Sequence, residues 1–158
     1  MTPIAAIEAS ALGVAMRESG WLPMAVLTAH LVGVAALAGS IACVDLRLLG
    51  LWRRLSVRRL AARLLPLTLA SLLFIVPSGL MMFVARAGEL AQDDVFALKI
   101  GLILAAGANA GVFHAAIFRG VAAWDVERVP PPAARFAGAL SLALWLSVIA
   151  CGFLLPDP

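Results

Sequence analysis

The stretch WLPMAVLTAHLVGVAALAGSIACVDLRLLGLWRR, residues 21–54, decides the fold. Its residues 22–44 carry no formal charge and one histidine, His30, set in a run of Ala, Val, Leu and Gly. At about 1.5 Å per residue such a helix crosses a hydrocarbon core of about 30 Å. Trp21 stands where an interfacial aromatic belongs, and Pro23 suits a first helical turn. Ala29, Gly33, Ala36 and Ser40 recur at near four-residue spacing and allow another helix to approach closely. Asp45 and Arg47 end the apolar run. Arg53, Arg54, Arg58, Arg59 and Arg63 follow, and this cluster is the strongest orientation signal in the chain. By the positive-inside rule it lies in the cytoplasm, which puts the N-terminus outside.

Working outward, the composition agrees. The 158 residues are 63% hydrophobic and 13% charged, with a mean hydropathy of +1.03. A soluble domain is roughly half apolar and about a quarter charged, so lipid must cover the excess. The net charge of +3 reads as topology and anionic-lipid contact rather than nucleic-acid binding, because the arginines flank apolar segments. Cys43 and Cys151 show no metal-ligand spacing, fall near opposite faces of the membrane, and read as small apolar fillers. The first sixteen residues hold Glu8 and no Lys or Arg, so no cleavable signal peptide is expected.

Three further spans follow the same logic. Residues 64–85 return outward, with Pro66 near the start and Pro77 inside, where a bend is expected. Residues 96–118 run inward after Asp93 and Asp94, which can cap the helix; Lys99 is expected to snorkel outward and Asn109 to bond a neighbouring helix. Pro130, Pro131 and Pro132 form a stiff connector, and residues 136–155 make the last span. Residues 3–18 read as a short amphipathic helix on the membrane surface or against the bundle. Trp52 and Trp124 read as interface anchors, and Trp145 as bundle packing. The fold class is therefore all-α: a four-helix transmembrane bundle in one domain, with a short N-terminal interfacial helix and both termini outside.

The residues with chemical potential are His30 and His114. An ionisable side chain in hydrocarbon is unfavourable and suggests function by default. Two imidazoles on two helices, each flanked by small residues, suit the axial nitrogens and the flat volume of a haem. His114 shares a helical face with Gly107 and Gly111. The competing reading is a histidine bonded to a carbonyl or serine on a neighbouring helix. Counting back from Asp45 and Asp125, the two histidines differ in depth by roughly 6 Å, or about twice that if the third helix ends at Arg119. Met81 and Met82 could complete a His/Met site for haem or Cu(I), although methionine in an apolar helix is more often packing. Asp45 and Asp125 read as neutralising neighbours of Arg47 and Arg128, with proton uptake at the inner boundary as the alternative. No nucleophile–base pair, HExxH motif or phosphate-binding glycine loop appears, which argues against a hydrolase or kinase.

Several segments together resemble a family of bacterial four-helix membrane proteins classed as a domain of unknown function. They are RESGWLP at 17–23, HLVGVAALAGS at 30–40, DLRLLG at 45–50, FALKIGLILAAGANAGVFH at 96–114, the pair Trp124 and Asp125, and SLALW at 141–145. That family usually has an acidic residue a few positions before its first histidine; here Met24, Ala25, Val26 and Leu27 stand there. Its histidine pattern is similar to small b-type membrane cytochromes and, more loosely, to copper-resistance membrane proteins. The resemblance directs attention to His30 and His114 as cofactor or metal ligands. The leading expectation is a haem-b-binding electron-transfer or redox-accessory protein of a bacterial inner membrane, with the lipid bilayer and a redox partner or larger membrane complex around it. The alternatives are a copper-handling protein and a non-catalytic assembly or accessory subunit with structural histidines.

Overall fold

The computed structural model describes residues 2–155, and the expectation for residues 156–158 lies outside them. The described chain is helical, with no strand among the described residues. In order come α1 (Pro3–Glu8), α2 (Ala11–Glu18), α3 (Leu22–Leu48), α4 (Val57–Ala85), α5 (Ala87–Leu90), α6 (Asp94–Val112), a π-helical turn (Phe113–Ile117), a 3-10 segment (Phe118–Ala123) and α7 (Pro132–Leu154). Four helical stretches, Leu22–Leu48, Val57–Ala85, Asp94–Ala123 and Pro132–Leu154, are long and apolar enough to cross a membrane.

The boundaries differ from the expected ones where polar residues continue a helix. Asp45 and Arg47 are absorbed into the last turns of α3. The arginines from Arg58 to Arg63 form the first turns of α4, capped by the Ser56 hydroxyl, which accepts from the Arg59 N–H. Pro66 therefore sits in the helix interior, and α4 runs continuously through both prolines. Pro132 opens α7 rather than ending a connector, because proline at the first helical position sacrifices no intrahelical bond. The expected single N-terminal helix is two, since Ser10 accepts from Gly13 N–H and starts α2 afresh.

The four long helices pack in the order α4–α3–α7–α6, with α3 and α7 in the middle. The α3–α4 seam is close because Gly33 leaves room: a Cβ there would lie 2.8 Å from Ile75 Cγ1. Ser40 and Thr68 share a hydrogen bond of 2.7 Å across the same seam. Gly138 does the same for α3 and α7, with Leu48 Cβ and the Asp45 carbonyl oxygen each 3.1 Å from where its Cβ would be. Asn109 donates to the Ala137 carbonyl at 3.0 Å and joins α6 to α7, as its sequence position implied. At the N-terminal end, Phe83 of α4 stacks on Phe96 of α6 at 5.6 Å.

The N-terminal pair docks on the bundle. Arg17 donates to the carbonyls of Ala85 (3.0 Å) and Glu8 (2.8 Å), and Glu8 accepts from Gly88 N–H at 2.7 Å. A Cβ on Gly13 would collide with the Glu8 carbonyl, so α1 and α2 can fold against each other only with glycine there.

The buried apolar cluster lies at the arginine-rich end. Leu48, Val57, Phe113, Val121, Trp124, Ala134 and Ala137 form it. Trp124, read from the sequence as an interface anchor, is 8% exposed and belongs to this core. The chain folds back through the 3-10 segment after the π turn, which carries the indole inward.

Candidate functional site

His30 lies on the α3 face that meets α4. Its Nδ1 is 2.9 Å from Ser78 Oγ. The serine has one proton to give and directs it at backbone carbonyls of its own helix, those of Phe74 and Ile75. With its proton so used, the Ser78 hydroxyl is left to accept from His30 Nδ1. Gly79 makes space for the ring: a Cβ there would be 3.3 Å from His30 Cε1. The Lys99 ammonium on α6 lies within electrostatic range of this imidazole. Lys99 is only half-exposed, with its Nζ 3.7 Å from where a Cβ on Gly152 would stand, so it points at α7 instead of running free to the interface.

His114 sits in the π turn. It is exposed, and its Nδ1 is 2.9 Å from the Ala110 carbonyl of its own helix. Phe113 meets it edge-on at 5.3 Å and Phe118 lies tilted at 5.5 Å. The face it shares with Gly107 and Gly111 is as read from the sequence. That face looks outward: neither glycine has any atom within 4 Å of where its Cβ would be.

The structure does not bring the two histidines together. Phe113, next to His114, packs in the cluster that contains Leu48. His30 lies eighteen residues before Leu48 on one unbroken helix, which is about 27 Å of axial distance. Axial ligands of one iron sit about 2 Å from it, as imidazole nitrogens do in metal sites generally. One haem between His30 and His114, the expectation set by two spans of similar depth, does not fit these positions. Of the two depth estimates, the smaller took Asp45 and Asp125 as matched markers, and the π turn and 3-10 segment that end the third span remove that match. Met81 and Met82 are half-buried on α4. Among the described residues no group of three or more His, Cys, Asp or Glu side chains is placed to hold a metal ion.

Cys43 and Cys151 are free. Cys151 is buried on α7 within electrostatic range of Lys99 at the N-terminal end, and Cys43 lies five residues before Leu48, so the two stand toward opposite ends as the sequence indicated.

The arginine-rich end holds a second polar arrangement, which the sequence suggested chiefly as charge neutralisation. Arg47 is fully buried. Its guanidinium donates to the carbonyls of Leu55 (2.7 Å), Asp125 (2.8 Å) and Arg53 (3.3 Å). Asp125 turns its carboxylate to Ser56 Oγ (2.8 Å) and the Arg58 N–H (2.9 Å). Burial disfavours its charge, but these bonds, the Val57 N–H and the nearby Arg47 outweigh it and hold the carboxyl below the usual carboxylate range. Asp45 faces Ser141 of α7 rather than an arginine, and one of its oxygens, like Arg47 Nη1, is buried without a hydrogen-bond partner among the described residues. No local sequence mark sets Arg47 apart: it lies between Leu46 and Leu48, but Arg63, Arg86 and Arg135 are also flanked by apolar residues.

Comparison with protein-family profiles, curated proteins and solved structures gives no match. The functional reading rests on this geometry.

Proposed function

We propose that the chain is a non-catalytic accessory or assembly subunit of a bacterial inner membrane, with its arginine-rich end in the cytoplasm. The observation that carries this is the separation of the imidazoles. His30 is committed to Ser78 on the adjacent helix and His114 to its own backbone, and about 27 Å of α3 separates His30 from Leu48, whose cluster includes Phe113 beside His114. Each then works as a local hydrogen-bonding group. The lightly packed third span suits the same role: 6% of its apolar window is buried inside the fold, against 22% for α3, so most of it is left for lipid or for another membrane subunit.

A redox reading needs the histidines to act separately, with Nε2 of His30, the nitrogen not bonded to Ser78, as the ligand atom. The test is the visible spectrum and metal content of the purified protein, expressed with ample haem and copper. The accessory reading expects no Soret band, substoichiometric copper, lower stability in His30→Ala and little change in His114→Ala. A Soret band lost in either variant, or copper bound one-to-one and lost with His30, overturns it.

A further inference from the structure

The arginines after α3 do not all serve one purpose. Arg47 and Arg53 are used by the protein itself: Arg47 holds three carbonyls, and Arg53 Nε donates to the Gly50 carbonyl at 3.1 Å. Arg54, Arg59 and Arg63 are different. Among the described residues their guanidiniums have neither a hydrogen bond nor an ion pair. They line one open cavity of about 370 Å³ that has no acidic residue in its wall.

Arg59 and Arg63 stand one turn apart on the same face of α4, and Arg54 reaches the cavity from the preceding loop. Three cations held close together repel one another unless an anion joins them, and the planar guanidinium matches phosphate oxygens two at a time. The rest of the wall is Leu55, Leu60 and Val126, which are apolar, and Ser56, whose hydroxyl is engaged with Asp125. Above Arg63 the same face of α4 carries exposed apolar side chains, Leu67 at 48% and Phe74 at 60% exposed. An occupant that satisfies both halves has an anionic head and a hydrocarbon tail.

We propose that this cavity is a headgroup site for an anionic glycerophospholipid, the phosphate held by Arg54, Arg59 and Arg63 and an acyl chain lying along Leu67 and Phe74 on the same face of α4. The inference rests on the reading that the four long helices sit in a bilayer, and it is independent of any role for the histidines. The site differs from a diffuse positive surface because its arginines are unpaired and converge on one cavity.

The test uses the full chain in neutral detergent micelles, with phosphatidylglycerol, cardiolipin or phosphatidylcholine added and bound lipid read by native mass spectrometry. The charge-matched pair of double variants is R59Q/R63Q and R119Q/R135Q. The site predicts that R59Q/R63Q weakens binding of the anionic lipids roughly 25-fold, about fivefold for each arginine, whereas R119Q/R135Q changes it less than about threefold. Unfolding midpoints in micelles without anionic lipid check that both variants are folded; if R59Q/R63Q is not, the single variants R59Q and R63Q are each expected to lose about fivefold. Equal losses in the two doubles overturn the proposal in favour of diffuse surface charge. Displacement of the anionic lipid by millimolar inorganic phosphate or pyrophosphate also overturns it, since the ligand is then a soluble phosphate. Failure of the wild-type protein to partition into detergent or membranes at all refutes the bilayer reading itself, a result distinguishable from the other two.

Discussion

Replacing Arg47 by methionine isolates what holds the arginine-rich end together. The methionine keeps most of the apolar stem in place and removes the guanidinium. Two carbonyls, those of Leu55 at 2.7 Å and Asp125 at 2.8 Å, lose well-formed bonds, and that of Arg53 at 3.3 Å loses a weak one. A hydrogen bond to a charged group contributes about 1.5–3 kcal/mol, so the two short bonds set a gross loss of roughly 3–6 kcal/mol. Two effects reduce it. Removing a buried charge recovers several kcal/mol of desolvation in principle, and the freed carbonyls lie in loops where water can reach them. The net loss expected is about 3 kcal/mol. Arg47→Lys keeps the charge but cannot span carbonyls from both connecting loops, and about half the loss is expected. The assay is equilibrium unfolding in mixed micelles followed by tryptophan fluorescence, since Trp52 and Trp124 flank the site. Limited proteolysis of residues 49–56 gives a local readout, with faster cleavage expected in Arg47→Met. A loss below about 1 kcal/mol with unchanged proteolysis would refute the idea that Arg47 ties the two loops together.

Three other outcomes follow from the same geometry. Gly33→Leu should destabilise by about 1–3 kcal/mol in the same unfolding assay, because the side chain meets Ile75 and Phe74, while Gly107→Ala, facing open space, should be neutral or gain up to about 1 kcal/mol from helix propensity. Asn109→Leu should cost about 0.6–1.7 kcal/mol through loss of the bond to the Ala137 carbonyl, measured as a shift in unfolding free energy. Asp125 has its carboxyl held below its ordinary value of 3.8 in the folded state. Its stabilisation is therefore complete above that value and is lost as pH falls through the lower folded one; the gap in unfolding midpoint between wild type and Asp125→Asn should shrink from about pH 5 downward, and a gap unchanged at about pH 2 would contradict the assignment.

The bundle was legible because its signal is coarse. Apolar runs of membrane-spanning length and small residues at near four-residue spacing on the first span are local properties, and Gly33, Ser40 and Asn109 act where their positions placed them. What was not legible depends on the path of the chain between spans. The π turn at Phe113–Ile117 has no local sequence mark, yet it and the 3-10 segment decide how deep His114 sits and bring Trp124 into the core. The outward direction of the Gly107, Gly111 and His114 face was also hidden. A helix that is apolar all round gives little indication of which side meets its neighbours. His30 was the reverse case: the alternative of a serine on a neighbouring helix was among the readings, and Ser78 proved to be that partner.

The distribution of polar groups argues for what this chain does with its few charges. Toward the N-terminal end they are sparse inside the bundle: the His30–Ser78 bond and Lys99 pointing at α7. At the other end Arg47, Asp125 and Ser56 join two connecting loops, and Asp45 reaches toward α7. A bundle locked at one end and lightly tied at the other, with most of its third span uncovered, has its stability concentrated where the arginines are. Opening free energies differ across a fold according to such local packing. Hydrogen exchange in micelles should therefore show the slowest amides around Leu48, Val57 and Ala137. Protection that is instead highest around His30 and Ser78 would move the anchor of the fold to the other face of the membrane, and with it the case for His30 as more than a structural group.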